Sequence, residues 1–175
     1  MNVLILCTAN SARSILAEAI LNRLGGRRFR AFSAGSHPRG VPNPRALELL
    51  EKLGYPTADL RSKSWDEFAA PGAPRMDLVI TVCDAAAGEA CPYWPGAPLK
   101  AHWGIPDPAG VGETAEEQLA AFQLAHDRLH ARFSALVALP FETMARAELM
   151  TRLSDIAKLE GATPAARGDG VGGQS

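Results

Sequence analysis

The segment Cys7–Ser14 has the residue types of a nucleophilic oxyanion site. Five residues separate Cys7 from Arg13, and one of them is Asn10, which tolerates a left-handed backbone. A cysteine thiolate is a strong nucleophile, and an arginine guanidinium can bind two oxygens of an oxyanion at once. A loop of this length can surround a tetrahedral anion, with the sulfur below it and the guanidinium beside it. The spacing therefore predicts attack by Cys7 on a tetrahedral oxyanion.

The place of this segment in the chain makes the prediction more specific. Val3–Leu6 is a short apolar run typical of a buried parallel strand, and a helix is predicted from about Ser14 to Leu24. The loop between them offers unpaired N–H groups and a helix dipole to an anion, and these groups should also lower the pKa of Cys7. The residues expected to bind the oxyanion are Thr8, Ala9, Asn10, Ser11, Ala12, Arg13 and Ser14.

The remaining pattern predicts an α/β fold, a three-layer sandwich with a four-stranded parallel sheet. Further strands are predicted at residues 29–33, 77–83 and 99–103. They alternate with helices whose capping signals include Asn43-Pro44 and the capping box of Thr114 and Glu117. Such alternation, with right-handed crossovers, covers both faces of a parallel sheet.

Length and composition indicate one folded domain with a C-terminal extension. The chain has 175 residues, of which 47% are hydrophobic and 21% charged, which is enough for a buried core. We assign the domain to residues 1–139 and a helical extension to residues 140–160. Residues 161–175 are rich in glycine, alanine and small polar residues, and we expect a disordered tail there.

Charge and hydropathy argue against several classes of partner. The formal net charge of -1 gives no electrostatic basis for binding nucleic acid or an acidic membrane. No apolar run reaches the roughly 18 residues needed to span a bilayer, and the first residues lack the basic leader of a signal peptide. Three cysteines without an evident disulfide framework fit a reducing compartment, so we expect a cytoplasmic protein.

Three segments resemble the low-molecular-weight protein tyrosine phosphatase superfamily, and within it the thioredoxin-coupled arsenate reductases. They are residues 3–14, Phe32-Ser33-Ala34-Gly35 and Asp107-Pro108, and the resemblance covers about residues 2–139. It implies a phosphatase-like fold and the roles of Cys7 as nucleophile, Arg13 as oxyanion ligand and Asp107 as general acid. Taken alone, Pro106-Asp107-Pro108 is typical of a rigid turn, and only the resemblance assigns the acid.

The other two cysteines extend the implied chemistry to reduction. Cys83 ends the predicted strand 77–83 and should lie at the same sheet edge as Cys7, while Cys91 follows a weakly restrained segment of small residues, 84–90. The resemblance implies that Cys7 attacks arsenate and that Cys83 attacks Cys7 as arsenite leaves. Cys91 then passes the disulfide to an external thiol reductant, and the overall function is arsenic detoxification. No tightly bound cofactor is expected.

Two external reductants are compatible with the sequence. Thioredoxin is the first expectation from the resemblance. The spacing of eight between Cys83 and Cys91 is, however, wider than is typical of the thioredoxin-coupled members. Glutaredoxin with glutathione is therefore the alternative reductant.

Two alternative functions are a low-molecular-weight protein tyrosine phosphatase and a non-catalytic oxyanion-binding or redox-sensing module. Tyrosine phosphatases of this superfamily usually have aromatic residues after the Asp-Pro pair and a second cysteine in the loop, where this chain has Ala109-Gly110 and Ala12. Residues 100–108 also look more like the reductases. A non-catalytic oxyanion-binding or redox-sensing module would need no general acid, so Asp107 argues against it.

Some members of the superfamily bind potassium beneath the oxyanion loop. Hard cations prefer oxygen ligands, and the comparable oxygen donors in this chain are Asn10, Glu18, Ser33 and Asp66. The resemblance therefore implies a potassium site, although Asp66 also fits the first turn of a helix and Glu18 a solvated surface.

Overall fold

A computed structural model describes residues 1–96 and 98–169. Its four strands form one parallel sheet in the order β2-β1-β3-β4. They are β1 (Asn2–Leu6), β2 (Arg30–Ala34), β3 (Leu78–Thr81) and β4 (Leu99–His102). The four predicted strands and the predicted parallel sheet are confirmed, with shifts of one or two residues at the strand ends.

The helices of the described residues pack on both faces of this sheet. They are α1 (Arg13–Gly25), α2 (Pro44–Lys52), α3 (Asp66–Ala69), α4 (Asp84–Gly88), α5 (Ala115–Val137), α6 (Arg146–Ala157) and α7 (Pro164–Arg167). Capping residues determine where several helices begin. The Asn43 side chain caps α2, and Thr114 and Glu117 form the predicted capping box of α5. Two short helices, α4 and α7, were not predicted.

Strand β1, one of the two inner strands of the sheet, is buried on both faces. Val3 and Ile5 belong to a large hydrophobic cluster with α1, α5 and α6, whereas Leu4 and Leu6 belong to a smaller cluster that includes Trp94. All four strand residues have no exposed surface. This arrangement explains why β1 is a continuous apolar run instead of an alternating one.

The expected helical extension, residues 140–160, shares the core of residues 1–139. The fully buried Trp103 donates from Nε1 to the carbonyl of Leu153 at 2.9 Å. The fully buried Arg132 donates to the carbonyls of Leu159 and Glu160 at 2.9 and 3.1 Å. Helix α6 therefore packs against β4 and α5 through both apolar and polar contacts.

The expectation of a disordered tail from residue 161 is wrong for residues 161–169. Thr163 Oγ1 accepts from the N–H of Ala166, and Pro164 occupies the first helical position, so α7 has both start signals of a helix. Ala162 and Ala166 are buried. Residues 170–175, the remainder of the expected tail, lie outside the described residues.

The parallel strands bring the loops of interest to one edge of the sheet. Cys7 follows β1 and Cys83 follows β3, so both cysteines lie at the carboxyl edge, as expected. Strand β4 leads along the same edge toward Asp107. Within the described residues, none of the helices combines the length and the apolar character needed to cross a membrane.

Candidate active site

The carbonyl groups of the loop between β1 and α1 accept hydrogen bonds from a neighbouring segment of the chain. Backbone N–H groups of segment 37–43 donate at 3.0, 3.1 and 2.8 Å to the carbonyls of Thr8, Ala9 and Ser11. In a trans peptide the N–H points opposite to the carbonyl. The amides that follow these carbonyls therefore face the inside of the loop, where an anion would accept their hydrogen bonds.

Asn10 organises the loop from beneath. Its φ of +42° is in the left-handed region that asparagine was expected to allow. The side chain is fully buried, and Nδ2 donates to Ser14 Oγ at 2.9 Å and to Ser33 Oγ at 3.0 Å. Its Oδ1 accepts from the N–H of Lys63 at 2.9 Å. One side chain thus links the loop, α1, β2 and segment 61–64.

Gly35 has a steric role that is not evident from the sequence. A Cβ at this position would overlap with the carbonyl oxygens of Cys7 and Thr8 and would lie 3.0 Å from the backbone nitrogen of Asn10. The absence of a side chain therefore allows the end of β2 to approach the loop. The motif Phe32-Ser33-Ala34-Gly35 was the available signal for this role.

Cys7 and Cys83 are two buried thiols that interact at the carboxyl edge of the sheet. Their exposed fractions are 5% and 2%. Cys83 Sγ accepts a hydrogen bond from the Cys7 thiol and, at 3.4 Å each, from the N–H groups of Ala86 and Thr8. The bond from Cys7, supported by these two amides, lowers the pKa of Cys83 to about 5. Of the two thiols, Cys83 therefore has the lower pKa in this arrangement.

The expected lowering of the Cys7 pKa is wrong for this arrangement of the two thiols. The hydrogen bond that Cys7 donates to Cys83, together with burial, raises the pKa of Cys7. The Arg13 guanidinium lowers the pKa of Cys7, as expected, but the raising effects of Cys83 and of burial are larger. The two thiols are coupled, so the lowered pKa of Cys83 favours one thiolate shared by the pair.

Arg13 and Asp107 meet beside the loop. Arg13 Nη2 lies 3.3 Å from Asp107 Oδ2, and Nη1 donates to the carbonyl of Ile105 at 3.0 Å. Asp107 Oδ1 accepts from the N–H of Ala109 at 3.0 Å, which is the contact of a tight turn. The turn is therefore compatible with the expected role of Asp107 as general acid, because the turn fixes its carboxylate next to the Arg13 guanidinium. The Asp107 side chain is half exposed.

Cys91 is not in contact with the thiol pair. It is exposed and lines a groove of about 460 Å³ together with Trp94 and Lys100. Helix α4 separates it from Cys83, so segment 84–90 is largely helical and not the weakly restrained stretch expected. The physical reason is that Cys83 Sγ accepts from the N–H of Ala86 and caps the helix.

The residues expected to bind potassium meet only in part. Ser33 Oγ donates to Glu18 Oε2 and accepts from Asn10, so these three side chains form one buried network. Asp66 is exposed at the start of α3. Among the contacts that the described residues make, none joins its side chain to the other three.

Lys63 supplies the positive charge that this network needs. Only 7% of Lys63 is exposed, and its Nζ lies 3.7 Å from Glu18 Oε2 and donates to the carbonyl of Arg61 at 3.0 Å. Burial raises the pKa of Glu18 and lowers that of Lys63, and each partner opposes the shift of the other. A potassium ion does not fit this arrangement, since the ammonium already neutralises the carboxylate.

Replacing Lys63 by methionine is expected to lower the free energy of unfolding by about 3 kcal/mol, because Glu18 would lose its buried counter-charge. The wild type should have the same melting temperature in potassium and sodium chloride, whereas Lys63→Met should be stabilised by potassium. Lys63→Arg is the control that keeps the charge. A wild-type melting temperature that rises in potassium would contradict this account.

Comparison with known proteins assigns the family. Residues 2–148 match the sequence model of the low molecular weight phosphotyrosine protein phosphatases. A curated relative, the arsenate reductase of Halalkalibacterium halodurans, is 35% identical over 127 residues, which cover 73% of this chain and 88% of the relative.

Solved structures share the same fold. The arsenate reductase from Archaeoglobus fulgidus matches with a TM-score of 0.62 and 27% identity, over 78% of this chain and 99% of that one. The low molecular weight protein tyrosine phosphatase from T. tengcongensis matches with 0.61 and 25%, over 82% and 99%. The thioredoxin-dependent arsenate reductase of Corynebacterium glutamicum matches with 0.53 and 26%, over 73% and 57%. With the cysteine loop and Asp107 inside the matched residues, the chain belongs to the low molecular weight phosphotyrosine protein phosphatase family.

Proposed function

We propose that this protein reduces arsenate to arsenite with Cys7 as the nucleophile. The observation that carries the proposal is the buried contact between Cys7 and Cys83 at the base of an oxyanion loop. A phosphatase needs one nucleophilic thiol, whereas a reductase also needs a second thiol that can form a disulfide with the first. The similarity to arsenate reductases supports the same assignment.

The first step is covalent capture of arsenate. The inward-facing amides and Arg13 bind the oxygens of the anion, and Arg13 exchanges part of its ion pair with Asp107 for the ligand. The proton of Cys7 moves along the hydrogen bond to Cys83, and the Cys7 thiolate attacks arsenic. Asp107 takes up a proton from the bound arsenate and passes it to the leaving oxygen, which departs as water.

Reduction follows when Cys83 attacks the Cys7 sulfur and releases its own proton. The sulfur–arsenic bond breaks and its electron pair stays with arsenic, so arsenic(V) becomes arsenic(III) and a Cys7–Cys83 disulfide forms. Cys91 then attacks Cys83 and carries the disulfide to the exposed side of α4. An external dithiol reduces it there.

We propose thioredoxin as the reductant and the cytoplasm as the location. The similarity to a thioredoxin-dependent arsenate reductase supports the first proposal. Glutaredoxin with glutathione is the second candidate, because the exposed Cys91 is also open to a small thiol. The three free cysteines support a reducing compartment.

The test is arsenite production from arsenate with thioredoxin, its reductase and NADPH, repeated with glutathione and glutaredoxin. Hydrolysis of a phenyl phosphate is measured in parallel. Arsenite with either reductant supports the proposal. Ester hydrolysis without arsenite assigns the protein as a phosphatase, the second candidate, since the loop and Asp107 do not distinguish phosphate from arsenate. Phosphate protection without either activity identifies a non-catalytic binding module.

In the reduced protein, a thiolate titration by ultraviolet absorbance is expected to show the first thiolate forming near pH 5, the pKa of Cys83. Ordinary thiols titrate near 9.0, so between these values the unfolded chain binds more protons and the free energy of unfolding rises with pH. Above that window the raised pKa of Cys7 reverses the trend.

The control for this titration is Cys83→Ala. It should lose both the low-pH thiolate and the rise in unfolding free energy between pH 5 and 9. A low-pH thiolate that persists in Cys83→Ala would place the charge on another residue.

A further inference from the structure

A chain of polar side chains connects Thr163, which follows the helical extension, to Asp84, the residue after Cys83. Thr81 Oγ1 lies 2.8 Å from His102 Nδ1, and His102 Nε2 lies 2.7 Å from Asp84 Oδ1. Thr163 Oγ1 donates to the same Asp84 oxygen at 2.7 Å. All these groups are satisfied when the imidazole proton is on Nε2, with Thr81 donating to Nδ1. Strands β3 and β4, the first residue of α4 and the cap of α7 are thereby joined.

Gly104 provides the space in which these groups meet. A Cβ at Gly104 would overlap with Asp84 Oδ1 and would crowd Thr163 Oγ1 and His102 Nε2. The N–H of Thr163 also donates to the carbonyl of Gly104 at 3.0 Å. Both the side chain and the backbone of Thr163 therefore hold it close to Asp84.

Helix α4 is fastened at its other end as well. Thr8 Oγ1, in the oxyanion loop, donates to Glu89 Oε1 at 2.8 Å, and Glu89 is the C-cap residue of α4. Together with the Asp84 contacts, this bond holds α4 in place between the buried Cys83 and the exposed Cys91.

The proposed relay requires this helix to open. A disulfide needs its two Cα atoms about 4.4–6.8 Å apart. Cys83 and Cys91 lie beyond opposite ends of α4, and Cys83 Sγ is engaged by the N–H groups of Ala86 and Thr8. The free energy that stabilises α4 therefore opposes formation of the Cys83–Cys91 disulfide.

We propose that Thr163 and Asp84 form a latch that keeps α4 closed and holds Cys83 against Cys7 until the first disulfide has formed. The proposal rests on the proposed reductase function and makes Thr163 a positioning residue. In the step it controls, the Cys91 thiolate attacks Cys83, the Cys83–Cys91 bond forms and the Cys7–Cys83 bond breaks. Cys7 leaves as a thiolate and takes up the proton that Cys91 gave up, so no net oxidation occurs.

Thr163 lies beyond both the family match and the helical extension of residues 140–160. The family match ends at residue 148, before Thr163. Phosphatase-like chemistry at Cys7 needs no such contact, whereas a relay that must pass through α4 gains an ordered sequence of steps from it.

Hydrogen exchange in the reduced protein tests the latch without any turnover. Thr163→Val should raise amide exchange in residues 84–89 about tenfold, the effect of losing one hydrogen bond to a charged group. Thr163→Ser should behave as the wild type, because its hydroxyl retains both the bond to Asp84 and the cap of α7. Gly104→Ala, which leaves Thr163 and Asp84 intact, should match Thr163→Val. Unchanged exchange in α4 in both disruptive variants would overturn the proposal.

Disulfide mapping then separates a latch from a merely structural contact. Each protein is equilibrated with reduced and oxidised dithiothreitol, quenched with acid and mapped for its two disulfides. The ratio of Cys83–Cys91 to Cys7–Cys83 should rise about tenfold in Thr163→Val and stay unchanged in Thr163→Ser. An unchanged ratio in Thr163→Val would refute the latch. No arsenate is used, so this outcome is independent of whether the wild type produces arsenite.

Discussion

Cys7→Ser is expected to abolish arsenite production, with a loss of at least about 10³-fold. A serine hydroxyl is a far weaker nucleophile than a thiolate, and it cannot form the disulfide that accompanies reduction of arsenic. The measurement is arsenite released with a saturating external reductant. The buried hydrogen bond to Cys83 would also be altered, so the melting temperature of the variant is measured first.

Anion binding is the control for this variant. The inward-facing amides and Arg13 do not depend on the sulfur, so phosphate should still raise the melting temperature of Cys7→Ser. Stabilisation by phosphate together with loss of arsenite production would assign Cys7 to chemistry instead of binding. Arsenite production at the wild-type rate would remove Cys7 from the mechanism.

Cys91→Ser is expected to stop after one equivalent of arsenite when thioredoxin is the reductant. The first turnover needs only Cys7 and Cys83, which remain in contact. The disulfide between them would be buried, since the exposed fractions of these residues are 5% and 2%, and a protein reductant cannot reach it. The steady rate should therefore fall by about 10²-fold or more, while the burst of arsenite remains.

The matched control is Cys83→Ser, which should lack the burst as well, because no second thiol attacks the Cys7 adduct. Continued turnover of Cys91→Ser with thioredoxin would contradict the relay. Turnover of Cys91→Ser with glutathione alone would show that a small thiol reaches the pair directly, and it would confine the role of Cys91 to protein reductants.

The sequence by itself determined the elements and the loop chemistry. Continuous apolar runs such as Val3–Leu6 predicted buried parallel strands, and the Thr114 and Glu117 capping box predicted the start of α5. The position of Cys7 and Arg13 between a strand and a helix predicted an oxyanion loop. These signals are local, because each depends on residues within one or two turns of chain. The role of Asp107 required the family resemblance, since its local sequence is that of a turn.

The tertiary structure alone decided where the charges and restraints lie. Cys83 interacts with Cys7, and this interaction raises the pKa of Cys7, which was expected to be lowered, and lowers that of Cys83. Lys63 lies against Glu18 and supplies a buried counter-charge in the network for which a potassium ion was expected. Thr163 reaches Asp84 from the first residues of a tail that was expected to be disordered. These partners are far apart in sequence, and a pKa or a buried counter-charge depends on atoms within a few ångströms, which only the packed sheet and its crossovers bring together.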